Sequence, residues 1–136
     1  SDVYKRQPWH IALRHPDDTD KTAGTLSVSD TSIVTSGDYE RYFIENGRRY
    51  HHIFDPHTGQ PVQNGLRAVT VICKDSEKAD ILSTALFVMG EKKAALFWKE
   101  HRGEFQMILF RNDNTLMITP DLQKIFTSEL PVVLIS

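Results

Sequence analysis

The chain has 136 residues, 40% of them hydrophobic and 25% charged, which is enough apolar material for the core of one domain and excludes a disordered polar tail. Lys and Arg number 16 against 18 Asp and Glu, a formal net charge of -2 with the signs interspersed, so no basic platform for nucleic acid or a membrane surface is present. The single Cys73 excludes an internal disulfide framework, and no run reaches the ~18 apolar residues of a membrane span.

Ser1 to Gln7 shows neither an initiator Met nor hydrophobic periodicity and reads as a cloning or truncation remnant, with residues 8–136 forming a single domain. Trp9, Ile11 and Leu13 then alternate with His10, Ala12 and Arg14, the period of a strand with one buried face, and Pro16 ends it. His15 to Thr22 is loop by composition. Gly24 introduces a second alternating segment from Thr25 to Asp30. Ile33-Val34 leads into Thr35-Ser36-Gly37-Asp38, expected to be a sharp polar turn whose hydroxyls and successive backbone N–H groups could cradle phosphate.

The segments Tyr39 to Glu45 and Arg48 to Phe54 flank Asn46-Gly47, the strongest hairpin signal in the chain. Such a hairpin brings the Thr35 turn and the turn at Asp55 to the same end of neighbouring strands. Around that second turn the sequence His52-Ile53-Phe54-Asp55-Pro56-His57-Thr58-Gly59 gathers polar groups that no core needs. Pro56 pushes Asp55 towards extended geometry and Gly59 permits backbone angles closed to other residues, so the Asp55 carboxylate, the Thr58 hydroxyl and the His52 imidazole could converge on a ligand.

Leu66 to Cys73 reads as a central strand with Val69, Val71 and Cys73 on one face, the thiol buried in a strand. Asp75 and Ser76 are both suitable caps for a helix from Glu77 to Met89, with Ala79, Leu82, Ala85 and Leu86 as its apolar stripe and Gly90 as its end. A second helix is expected from Glu91 to His101, packing Ala94, Ala95, Leu96 and Trp98 and stopped by Gly103. Phe105 to Phe110 and Leu116 to Thr119 form a hairpin around Asn112-Asp113-Asn114. Asp121 to Phe126 suits one or two helical turns, and Pro131 to Ile135 a final strand. The sum is an α+β fold, a mostly antiparallel sheet with a central pair of helices packed on one side.

Asp80 and Thr84 stand four residues apart, so a helix places both side chains on one face, one turn above each other. A carboxylate and a hydroxyl are hard oxygen donors that suit Mg2+ shared with phosphate oxygens. The ordinary alternative is that Asp80 stabilises the helix start and Thr84 bonds its own turn. His51, His52 and His57 invite a zinc reading, but adjacent strand residues point to opposite faces and no Cys cluster or HExxH pattern supports it. A triad built on Ser36 lacks a nucleophile-elbow signature, and Trp9, Tyr39, Tyr42 and Tyr50 fit core packing better than cofactor stacking.

In their order, Thr35-Ser36-Gly37-Asp38-Tyr39, the His52 to Gly59 block, and Ala79-Asp80 with Ser83-Thr84-Ala85 resemble the C-terminal portion of the FAD:protein FMN transferases, formerly called thiamine-biosynthesis lipoproteins. The resemblance runs from about Trp9 to about Thr119. It implies FAD as substrate, Mg2+ as cofactor, and transfer of FMN to a Thr or Ser of a target flavoprotein with loss of AMP. It also implies Asp80 and Thr84 as metal ligands, and Thr35, Ser36 and Gly37 approaching FAD. His52, Asp55, Thr58 and Gly59 become substrate-facing, with Asp55 and His52 the candidates to assist proton transfer. Full members add an N-terminal half that completes the flavin pocket, a role a second chain could fill, and they work in the periplasm or at the cell envelope. Two alternatives stand beside this reading: a Mg2+-dependent FAD pyrophosphatase, and a non-catalytic binding or assembly module.

Overall fold

The computed structural model describes residues 9–15, 20–37, 42–45, 48–51 and 65–136. In chain order these residues form β1 (Trp9–Arg14), β2 (Thr22–Val28), β3 (Ser32–Gly37), β4 (Tyr42–Glu45), β5 (Arg48–His51), β6 (Leu66–Cys73), α1 (Ser76–Met89) and α2 (Glu91–Glu100). Then follow β7 (Gln106–Arg111), β8 (Leu116–Ile118), a 3-10 turn at Pro120–Leu122, β9 (Phe126–Thr127) and β10 (Val132–Leu134).

Strands β10, β8, β7, β6 and β3 lie in that order in one sheet, antiparallel except at the β8–β10 edge. The expected central strand is β6, held between β3 and β7 and buried on both faces apart from half-buried Arg67. Period-two alternation sends Val69, Val71 and Cys73 towards the helices and Ala68 and Ile72 to the opposite side, while an irregularity in the ladder between Leu66 and Ala68 lets Leu66 join the helix side. The expected face of β6 is therefore the observed one, and Cys73 is a buried free thiol.

On the helix side, α1 starts where the Asp75 carboxylate accepts from the backbone N–H groups of Glu77 (2.9 Å) and Lys78 (3.3 Å). These are donors that no earlier turn can satisfy. It ends at Gly90, whose φ of 85° is open to glycine at little steric cost, and the same residue opens α2. Ala79, Leu82, Leu86 and Phe87 of α1 and Ala94 and Trp98 of α2 close on the sheet. The Trp98 ring N–H donates to the Phe105 carbonyl at 3.1 Å. Leu96, expected on the packed side, is 59% exposed. It lies two residues from both Ala94 and Trp98, a rotation of about 200° away from the face they define. Ala85 is likewise only half-buried, and Ser83 takes a fully buried place instead.

The other face of the sheet is covered by a smaller antiparallel sheet, β1-β2-β9. Ala23, Leu26, Val28 and Phe126, with Ile11 and Leu13, pack there against Ala68, Ile72, Ile108 and Phe110. Gly24 sits inside β2, not at its entrance, because a Cβ there would collide with the Phe126 ring. The 121–126 stretch, expected to be helical, has only the end of the 3-10 turn before Phe126 joins β2 as a strand. Helix pair, five-stranded sheet and small sheet thus stack in three layers, an α+β arrangement with the helices on one side.

Strands β4 and β5 pair antiparallel with Tyr42 opposite His51 and Glu45 opposite Arg48. That register leaves a two-residue connection, as expected for Asn46-Gly47, which itself lies outside the described residues. Among the described residues no helix is long and apolar enough to cross a membrane.

Candidate functional site

The segment expected to turn at Thr35-Ser36-Gly37 is instead the end of strand β3. Its ladder runs on past the polar residues: Thr35 pairs with Thr70, Ser36 with Val69 and Gly37 with Ala68. The β-branched run Ile33-Val34-Thr35 and a long partner strand outweigh the local turn preference of Ser and Gly. Gly37 is needed for proximity to its neighbour. A Cβ at that position would lie 2.5 Å from the Arg67 carbonyl oxygen and 2.9 Å from the Ala68 Cβ.

Because strand neighbours face opposite ways, the two hydroxyls part company. Thr35 Oγ1 meets Thr70 Oγ1 at 2.8 Å on the side away from the helices. Ser36 points to α1, with its Oγ 2.7 Å from Ser83 Oγ and 3.2 Å from Thr84 Oγ1. Thr35, Ser36 and Gly37 therefore continue the strand instead of making the expected sharp turn, and the side chains of Thr35 and Ser36 diverge.

On α1 the four-residue spacing does what the sequence implies. Asp80 is exposed and Thr84 is half-buried, one helical turn further on. Behind them Ser36 and Ser83 are fully buried, and Ser83 Oγ donates to the Asp80 backbone carbonyl at 3.0 Å. The helix start is capped by Asp75, so Asp80 is not required for that task. The helix face that carries the pair is thus anchored from the back by a strand.

Among the described residues no three His, Cys, Asp or Glu side chains gather into a metal-holding group. Among the described residues the donors on this helix face are the Asp80 carboxylate and the Thr84 hydroxyl, both hard oxygens. That set fits Mg2+, which keeps several waters and is completed by substrate phosphates, and does not fit the closed N/S cage of structural zinc.

His52, Asp55, Thr58 and Gly59 lie outside the described residues. Two groups that bond to β3 hydroxyls were missed by reading the sequence for ligands, Ser83 on the helix side and Thr70 on the opposite side. The signal for Ser83 was its place on the helical stripe that also holds Ala79, Leu82, Leu86 and Phe87, where a hydroxyl must find a partner. Thr70 carries the same signal as a polar residue within the apolar run of β6.

The family model described as the ApbE family matches residues 2–109, which include the whole of the β3–α1 seam. The chain belongs to the ApbE family. It is 37% identical over 119 residues to an FAD:protein FMN transferase of Klebsiella pneumoniae, a match covering 87% of this chain and 38% of that protein. It is 41% identical over 107 residues to one from Treponema pallidum, covering 78% and 30% respectively. A crystal structure of the ApbE protein from Thermotoga maritima aligns with a TM-score of 0.72 at 33% identity, over 88% of this chain and 38% of that one. The ApbE chain described here therefore spans well under half the length of these relatives.

Proposed function

We propose that this ApbE chain carries the cation-binding part of a Mg2+-dependent transfer of FMN from FAD to a Thr or Ser of a target flavoprotein, with AMP as the leaving group. The observation that carries the reading is the exposed Asp80 one turn from Thr84 on a helix face anchored from behind by Ser36. The naming of the relatives as FAD:protein FMN transferases supports the reaction class.

Asp80 and Thr84 would hold the cation through a carboxylate and a hydroxyl oxygen. Bound there, Mg2+ supplies neutralisation of the negative charge on the pyrophosphate oxygens of FAD. The acceptor hydroxyl oxygen forms a bond to the FMN phosphorus while the phosphoanhydride bond to AMP breaks, and the departing phosphate keeps the electron pair. His52 and Asp55 are the groups proposed to receive or pass on the acceptor proton. Thr58 and Gly59, with the β3 end at Thr35, Ser36 and Gly37, are proposed to adjoin the substrate. Groups from a further segment or a second chain complete the flavin pocket, and the cell envelope is the proposed setting.

Purified chain incubated with FAD, Mg2+ and a target flavoprotein should release AMP and raise the acceptor mass by one FMN. AMP accompanied by free FMN would instead identify a pyrophosphatase. Neither FAD binding nor AMP would overturn the enzyme reading and leave a binding or assembly module. In the D80A/T84A variant, apparent Mg2+ affinity should fall by more than about tenfold, since even the outer partners of a metal site contribute about 10–100-fold. An unchanged Mg2+ dependence would remove both residues from the ligand set.

A further inference from the structure

Five large apolar side chains stand exposed among the described residues, and four of them, Leu96, Val132, Val133 and Leu134, gather where α2 passes the outer strand β10. A contiguous apolar patch marks a contact site in a way that scattered apolar residues do not. Strand β10 is an edge of the five-stranded sheet, with β8 on its inner side. The Leu116 N–H donates to the Pro131 carbonyl and the Ile135 N–H to the Ile118 carbonyl, so in this parallel pair Pro131, Val133 and Ile135 turn their backbone groups towards β8. Val132 and Leu134 therefore turn an N–H and a C=O outward, where no strand among the described residues pairs with them. No charged side chain or proline within Val132–Leu134 blunts that edge.

Alternation sets Val133 on the side of buried Ile135, towards α2, and the groove between strand and helix has a volume of about 530 Å3. Lys92 and Lys99 stand four residues before Leu96 and three after it, so one helix face carries all three along the groove. Both lysines are exposed and neither makes an ion pair among the described residues, whereas Glu91 of the same groove is held by Arg111 at 3.0 Å.

We propose that the β10 edge and the α2 groove dock an extended segment of a partner protein, a short apolar run bounded at each end by Asp or Glu. The segment adds to β10 as a further strand, its backbone meeting the outward groups of Val132 and Leu134 and an apolar side chain entering beside Leu96 and Val133. The lysines are separated by ~10 Å of helix, and three apolar strand residues hold two flanking carboxylates ~13 Å apart, a match within the reach of flexible lysine side chains. A second copy suits the surface less well. A two-fold contact sets a patch against itself and brings the like charges of Lys92 and Lys99 together over the apolar groove. Strand β3 is the opposite edge of the sheet, so this surface is separate from the cation site and independent of its reading.

The test titrates the isotope-labelled full chain with a capped peptide of sequence Ser-Glu-Val-Val-Val-Glu-Ser, and with a counterpart carrying Lys in place of both Glu. The acidic peptide should shift the β10 amide resonances and slow solvent exchange at the Val132 and Leu134 N–H groups, with less change at Val133, which already bonds β8. Leu134→Pro removes an outward donor while leaving the β8 ladder its bonds, and should weaken binding by more than about fivefold, the worth of about one hydrogen bond. Lys92→Glu combined with Lys99→Glu, both on the exposed helix face, should turn the preference to the basic peptide. Where Leu134→Pro also loosens β10 from β8, the charge-reversed chain decides.

An acidic peptide that leaves β10 unmoved at millimolar concentration would overturn the proposal, as would equal binding of the two peptides. A Leu134→Pro chain that binds like the parent would overturn strand addition. A parent that sediments as a dimer, with Leu134→Pro a monomer, would give the surface to a second copy instead.

Discussion

The β3–α1 seam and the β7–β8 hairpin are both rich in small polar side chains, and they use them in opposite ways. At the hairpin the partners are neighbours: the Asp113 carboxylate accepts from the Thr115 N–H at 3.0 Å, and the Arg111 N–H donates to the Thr115 carbonyl at 3.0 Å. Asn114 adopts a φ of 65°, which its side chain tolerates in a tight turn. Asn112 and Asp113 are exposed, so this polarity serves the turn itself. At the seam the partners are remote, Ser36 reaching residues 47 and 48 positions away, and the Ser36–Ser83 contact is buried. Local polar bonds shape a chain reversal, while the long-range ones fix the back of a helix whose front carries an exposed carboxylate.

If the seam is a close long-range joint, its most sensitive point is Gly37. Gly37→Ala forces a Cβ against the Arg67 carbonyl and Ala68, so β3 must move away from β6. The expected cost is about 1–3 kcal/mol, in the range of overpacked interiors, read from urea unfolding. The variant should also disturb the neighbouring Ser36 contacts, visible as altered Thr84 resonances. A variant as stable as the parent would mean that the strands are not held this tightly, and the contrast with the hairpin would lose its basis. A smaller effect is expected from Asp75→Ala, which leaves the first backbone donors of α1 without their carboxylate partner. Loss of such a cap costs about 1 kcal/mol. Because the cap lies outside the seam, Mg2+ affinity of the folded protein should stay unchanged. A drop in affinity would show that the helix start, not the strand contact, sets the site.

The same contrast explains what could be read from the sequence. Asn112 to Asn114 declares its turn through its own residue types, and Asp75 declares its cap through the helix that follows it. The spacing of Asp80 and Thr84 likewise placed them on one helical face, because helix geometry is a local rule. Thr35-Ser36-Gly37 misled because its local turn chemistry is real, yet pairing with β6 outweighs it, and nothing within three residues of Gly37 tells that Arg67 passes so close. The small sheet was missed for a related reason. Phe126 and Thr127 join β2 across a sequence distance of about 100 residues, so the short run in which they stand carries no strand signature of its own. Leu96 shows the converse error, an apolar residue assigned to a packed face by type when its phase relative to Ala94 and Trp98 turned it outward.

The hairpin gives the smallest and most specific test. Hydrogen bonds from the Thr115 side chain, then from its backbone N–H, with the Arg111 charge contributing less, hold the Asp113 carboxyl below its ordinary range. A carboxyl with a lowered folded-state pKa adds stability above its unfolded value near ~3.9, and that contribution is lost as pH falls through the folded value. The melting temperature of the parent should therefore exceed that of Asp113→Asn by a small margin at neutral pH, and the margin should close in acid. Asn keeps an oxygen that can accept from Thr115, so what closes is the share owed to charge. A margin that persists at a pH below both carboxyl values would assign the effect to turn geometry alone. It would then place the hairpin closer to the seam, where the contacts among Ser36, Ser83 and Thr84 involve no ionisable side chain and their strength should be indifferent to pH.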